Sequence, residues 1–262
     1  MQLKSFTYQS SKIIYRISGS GKPVILIHGF GEDGNVWQNQ IQALEKKYTL
    51  IIPDLPGSGK SELIANMSIE GMAKCIKAIA DEEKVNTVPV LGHSMGGYIT
   101  LALAEKYPQL LNAFGLIHSS AYADNEEKKE ARRKSIEFIK THGAYEFLKT
   151  AIPGLFYLPE NNKDCEALVE ASKNFTAEAL VAYYTAMINR PDRTAVLTSF
   201  TQPILFIMGQ YDKAVPFEHS LSQSHLPQQS HITILRNSAH MGMYEEAEKT
   251  VTAILQFLEI IS

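Results

Sequence analysis

The 262-residue chain has only two cysteines, Cys75 and Cys165, far apart in sequence. They form neither a disulfide framework nor a CxxC metal or redox pair, and they favour a reducing compartment. Excess charge is also missing, since 25 basic residues stand against 28 acidic ones, a net charge of −3. So weak a field gives no steering toward nucleic acid or an anionic membrane. Long hydrophobic runs are absent too. The longest early run covers residues 24–27, against the roughly 20 apolar residues that a membrane span needs. The first twenty residues lack the apolar core of a signal peptide, and the C-terminus shows no lipidation motif. No His or Cys cluster has metal-site spacing, and no GxGxxG follows the first strands. The expectation is a cytoplasmic protein with no metal, no cofactor, and no nucleic-acid or membrane partner. The oligomeric state stays open.

What is present reads as one large globular unit. Hydrophobic residues make up 45% and charged residues 20%, ordinary usage for a folded domain. Up to about residue 118, strand and helix signals alternate. Residues 3–9 and 12–18 read as a β-hairpin. Residues 23–28 read as an apolar strand covered on both faces, and 49–53, 88–92 and 111–118 as further strands. Pro89 is tolerable only near a strand start. Ile69, Met72, Ala73, Ile76, Ile79 and Ala80 mark one face of a helix. Ser68 is its N-cap, and Gly71 leaves the capping box incomplete. Such alternation predicts a parallel sheet with right-handed crossovers. From 119 to 201 only helical stretches are visible, including a helix over 123–140 read as a solvated mixed-charge face. Strands resume at 203–209 and 231–236. The predicted division is a core of residues 1–118 and 202–262 with a helical insertion at 119–201.

Gly92-His93-Ser94-Met95-Gly96 matches G-x-S-x-G between an apolar strand and a buried helix, the context that motif requires. A serine on so sharp a turn exposes its hydroxyl, and the helix N-terminus behind it offers N–H groups to a developing oxyanion. A nucleophilic serine needs a base and an orienting acid. Asp212 follows the strand over 203–209, and His240 follows the strand over 231–236. Both therefore fall at carboxyl ends of strands, where ligands bind in open α/β sheets. His219, His225 and His231 have no such position. His28-Gly29-Phe30-Gly31 follows another strand. The Phe30 and Met95 N–H groups are the predicted oxyanion donors, and His28 reads as a brace for its loop. Asp54-Leu55-Pro56-Gly57-Ser58-Gly59-Lys60-Ser61 only imitates a phosphate loop, because Asp54 stands where Walker A needs glycine.

HGFG, DLPGSGKS, GHSMGG, DKAVP and SAH stand in an order that resembles the α/β-hydrolase family across essentially the whole chain. The resemblance implies an α/β-hydrolase fold with a mostly parallel eight-stranded sheet, and a helical cap at 119–201. It also implies a Ser94–Asp212–His240 triad without a cofactor. Ser94 argues against the dehalogenases and epoxide hydrolases of the family, which use Asp. Carbon–carbon bond hydrolases typically show Asn before the serine and perhydrolases Phe, so His93 favours a carboxylesterase. The expected reaction is hydrolysis of a small or medium carboxylic ester. Thioesterase, lactonase, lyase and carbon–carbon hydrolase readings stay open, and a non-enzymatic binding role is disfavoured by the complete triad. Within the cap, Phe156, Tyr157, Tyr183 and Tyr184 are the predicted pocket residues. Arg190 is the candidate for holding a substrate carboxylate.

Overall fold

A computed structural model of the chain describes residues 1–261. One sheet holds eight strands: β1 (Gln2–Tyr8), β2 (Ser11–Gly19), β3 (Lys22–Ile27), β4 (Tyr48–Pro53), β5 (Pro89–His93), β6 (Ala113–Ile117), β7 (Ile204–Gly209) and β8 (Ser230–Leu235). Their spatial order is β1-β2-β4-β3-β5-β6-β7-β8. β1 and β2 run antiparallel, and the other six strands are mutually parallel. This is the mostly parallel eight-stranded sheet the sequence predicts. Every residue of β5, β6 and β7 is buried, which is why these strands read as unbroken apolar runs rather than alternations. Pro89 is the first residue of β5, where a missing donor is tolerated.

Helices α1 (Gln38–Leu44), α2 (Ile69–Glu82) and α3 (Met95–Lys106) alternate with the first strands. The Ser68 hydroxyl accepts the Gly71 N–H at 3.0 Å at the start of α2. Gly71 replaces the capping-box acid because a Cβ there would run into the Asn66 carbonyl. Between β6 and β7 the described residues form helices and no strand: α4 (Glu126–His142), α5 (Ala144–Ala151), α6 (Lys163–Ala171), α7 (Ala177–Asn189) and α8 (Thr194–Ser199). Asn125, Asn162 and Thr176 cap α4, α6 and α7 with side-chain oxygens. Helices α9 (Phe217–Gln223), α10 (Gly242–Glu245) and α11 (Ala247–Ile260) complete the chain. No helix among the described residues is long and apolar enough to cross a membrane.

The charged start of the insertion departs from the solvated mixed-charge reading. Lys129–Glu126, Arg133–Glu130 and Lys140–Glu137 are surface pairs, as that reading requires. Asp124 and Arg132 are not, since their side chains are only 1% and 13% exposed and bond each other at 2.6 Å. Lys128, Ala131, Arg132 and Ser135 lie at i, i+3, i+4 and i+7, so one stripe of α4 turns inward to a cavity.

Register brings the strand ends to one edge. Ile27 pairs with Gly92, His93 with Ile117, Ile117 with Ile207, and Gly209 with Leu235. The residues that follow these strands therefore gather along a single border of the sheet. His28, Ser94, His118, Asp212 and His240 are among them.

Candidate active site

Ser94 joins β5 to α3 with φ 50° and ψ −116°. A non-glycine residue rarely adopts positive φ, and such strain persists only where the surroundings hold it. Here a Cβ at Gly92 would strike the Gly96 carbonyl, and one at Gly96 would strike the carbonyls of Ile27 and His28. Both glycines therefore serve close backbone approach. The Ser119 hydroxyl donates to the Ser94 carbonyl at 2.7 Å and ties the elbow to the strand beside it.

Asp212 and His240 come together as their positions after β7 and β8 require. His240 Nδ1–H donates to Asp212 Oδ2 at 2.8 Å, and both side chains are buried. Asp212 Oδ1 accepts the N–H groups of Ala214 and Val215, each at 2.9 Å. Burial alone would raise the Asp212 carboxyl. The charge of His240 and the hydrogen bonds from His118 and His240 outweigh it and hold the group below the usual carboxylate range. An ionised acid here fixes the tautomer that leaves His240 Nε2 free to accept a proton. Ser94 and His240 line the same cavity of about 260 Å³.

The loop after β3 sits against Ser94, since a Cβ on Gly29 would come within 3.0 Å of the Ser94 Cβ. His28 Nε2 accepts the Leu55 N–H at 2.9 Å while its Nδ1–H donates to the Gly29 carbonyl at 2.8 Å. Both ring nitrogens are thus engaged in bracing, and burial, the largest influence, pushes His28 below its ordinary value and keeps it neutral. Phe30 lines the cavity beside them.

Two residues at this edge, Glu32 and His118, are not singled out by the sequence. Glu32 Oε2 accepts the Gly29 N–H at 2.6 Å and His93 Nδ1–H at 2.9 Å. His93 Nε2–H donates to the His240 carbonyl at 3.0 Å. Both His93 nitrogens face acceptors, so the ring is a cation. Burial opposes this, but the Glu32 charge outweighs burial and raises the imidazole. The same pairing overcomes the burial of Glu32 and lowers its carboxyl. His93 thus clamps the Gly29 loop to the His240 loop. His118 Nδ1–H is a second donor to Asp212 Oδ2, at 3.3 Å. Burial, only partly offset by Asp212, pushes its pKa down to about 4. His118 follows β6 as Ser94 follows β5, and that position was the signal that could have found it.

The predicted cap residues divide. Tyr184 lines the cavity and stacks on Phe30, with ring centroids 4.2 Å apart. Tyr183 does not line it; its buried hydroxyl donates to the Pro56 carbonyl at 2.6 Å and contacts Ser58 Oγ at 2.8 Å. Phe156 packs on Tyr244 instead, and its neighbour Leu155 takes the lining position. Tyr157 stacks at 3.8 Å on Tyr211 at the surface. Arg190 is also misplaced by the sequence reading. Its guanidinium donates to the Met187 carbonyl, the Tyr122 carbonyl and Asp124 Oδ1 at 2.7, 3.1 and 2.9 Å. It lies flat on Tyr98, 3.9 Å from the ring centroid. Aromatic content and adjacency in the sequence point to these residues without telling which neighbour each side chain meets. The glycine-rich Asp54 loop likewise docks the insertion through Ser58, while Asp54 itself pairs with Arg16 at 2.5 Å.

Residues 22–138 match the family described as alpha/beta hydrolase fold. The whole chain aligns with Lipase 1 of Psychrobacter immobilis at 27% identity, covering 85% of that protein. It is 29% identical to the 2-hydroxy-6-oxo-6-(2'-aminophenyl)hexa-2,4-dienoic acid hydrolase of Metapseudomonas resinovorans, over 93% of this chain and 86% of that one. Among solved structures, the malate-bound thermophilic esterase from Thermogutta terrifontis superposes with a TM-score of 0.93 at 27% identity, covering 100% of this chain and 99% of that one. With this sheet order and these likenesses, the chain has the α/β-hydrolase fold.

Proposed function

We propose that the protein is a serine hydrolase that cleaves a small or medium carboxylic ester. The observation that carries this reading is the 2.8 Å Asp212–His240 bond, with His240 and the strained Ser94 on one cavity wall. Ser94 Oγ attacks the acyl carbon as its proton passes to His240 Nε2. The Phe30 and Met95 N–H groups hold the oxyanion. Collapse expels the alcohol, which takes the proton from His240. A water deprotonated by His240 then attacks the acyl-enzyme, releasing the acid and restoring Ser94. Residues 119–201 act as the cap, over a core of residues 1–118 and 202–262. The substrate is a small molecule. The free, buried Cys75 and Cys165 favour a cytoplasmic setting. The lipase and esterase among the similar proteins support the ester as the bond cleaved.

The test is Ser94→Ala, which should lower kcat by at least about 10³-fold with the fold intact; turnover near wild type would overturn the assignment. A second reading, carbon–carbon bond hydrolysis, is favoured by the likeness to the dienoic acid hydrolase. Its leading residue, Arg190, already spends three of its five N–H donors on protein partners. A panel of an ester, a lactone, a thioester and a vinylogous diketone separates the readings by rate.

A further inference from the structure

The cavity that holds Ser94 is lined by both apolar and cationic side chains. Arg132 lines it from α4 and lies over the Tyr184 ring, 5.4 Å from its centroid. Its Nε donates to Asp124 Oδ2 at 2.6 Å. Its two Nη groups have no hydrogen-bond partner among the described residues. Asp124 cannot neutralise Arg132 alone, because its other oxygen accepts Arg190 Nη2 at 2.9 Å. One carboxylate thus serves two guanidinium groups. Lys128, one turn before Arg132, also lines the cavity and donates Nζ to the neutral Ala214 carbonyl at 2.8 Å. The acid on this wall, Glu32, is already matched by His93. Glu127 lines the neighbouring cavity and not this one. The positive charge therefore exceeds the negative charge around a half-enclosed space, where an unpaired charge is costly. Tyr98 reports the same field. Burial alone would raise its hydroxyl, yet Arg190, Lys128 and Arg132 bring it below its ordinary value.

We infer that the substrate carries an anion of its own: a carboxylate some bonds away from the scissile carbonyl, gripped by the Nη pair of Arg132 with Lys128 as the second charge. A planar guanidinium matches a carboxylate with two parallel hydrogen bonds, and the apolar part of the lining takes the carbon chain between the two ends. The inference rests on Ser94 being the nucleophile of ester hydrolysis. Two substrate types share this chemistry. The carboxylate belongs either to the acyl part, as in a monoalkyl ester of a short dicarboxylic acid, or to the alcohol part, as in an acyl ester of a hydroxy acid.

The experiment compares kcat/KM for each of these two anionic esters with that for a neutral ester of the same length. Wild type should prefer one anionic ester, and the preferred one identifies the end that Arg132 holds. In Arg132→Gln the anionic-to-neutral ratio should fall by roughly tenfold to a hundredfold, the loss expected for a hydrogen bond to a charged group. Arg133→Gln, on the exposed face of the same helix, should leave the ratio alone. A wild-type preference for the neutral ester, or a ratio unmoved in Arg132→Gln, overturns the inference and leaves ester hydrolysis standing. Calorimetric binding of each anionic ester to Ser94→Ala, with and without Arg132→Gln, reads the grip without turnover. If the anion binds through Arg132 but wild type hydrolyses neither ester, the hydrolase reading fails and the anion site remains. If binding is indifferent to Arg132→Gln, the anion site falls.

Discussion

His93 is a buried cation because Glu32 faces one of its nitrogens and the His240 carbonyl the other. Removing the charge of Glu32 would leave that cation unpaired. Glu32→Gln should therefore cost about 3 kcal/mol or more of stability, as broken buried pairs do, and should loosen the Gly29 loop beside Ser94. Urea unfolding and kcat measured on the same preparation check both effects; a variant as stable as wild type would contradict the clamp. His118 makes a pH-dependent claim. Its pKa falls from 6.5 to about 4 on folding, so the unfolded chain binds its proton more readily. That contribution is complete above about pH 6.5 and is lost as pH falls toward 4. The shift corresponds to roughly 3 kcal/mol. His118→Asn keeps a donor for Asp212 without the titration, so wild type should lose more stability than the variant between pH 7 and pH 4. Parallel losses in urea titrations at the two pH values would show that His118 is not the group responsible.

The insertion meets the core at many points. The Leu155 carbonyl accepts the His240 N–H at 2.9 Å, Tyr183 bonds the Asp54 loop, and Arg193 pairs with Glu70 and Glu105 where the chain returns to the sheet. Tyr183 and Tyr184 are adjacent yet do different work. Tyr183→Phe should cost about 1 kcal/mol of stability for its lost hydrogen bond, read as a lower urea midpoint. Tyr184→Ala should act on KM across a series of esters of rising size. If Tyr183→Phe moves KM and Tyr184→Ala does not, the assignment of which ring lines the cavity is reversed. This is also the scale at which the sequence stopped being informative. Strands such as β5 and β7 were legible because unbroken apolar runs between turns have few other solutions. The elbow was legible because Gly92 and Gly96 are forced by backbone contact. The direction of Arg132 was not, because a charged side chain on an amphipathic helix looks the same whether it faces water or an inner carboxylate such as Asp124. The reading of Arg190 as a substrate ligand rests on its place near the return to the sheet and on the family resemblance, and neither tells what its guanidinium meets.

Across the whole molecule, the parallel register is what turns separate motifs into one site. Strand ends from Ile27 to Leu235, more than 200 positions apart, share one edge, and side chains from residues 119–201 line the same cavity as Ser94. The overall charge is near balance, so the positive character of the cavity is local, set by Lys128 and Arg132 on its wall, with Asp124 shared between Arg132 and Arg190. The central claim is that Ser94 is a nucleophile activated through His240 and Asp212. Intact-mass labelling with a fluorophosphonate, followed by peptide mapping, tests it most directly. The account predicts a single adduct on Ser94, absent in Ser94→Ala and much slower to form in Asp212→Asn. No adduct on wild type, an adduct mapped to another residue, or equal labelling rates for wild type and Asp212→Asn would contradict it.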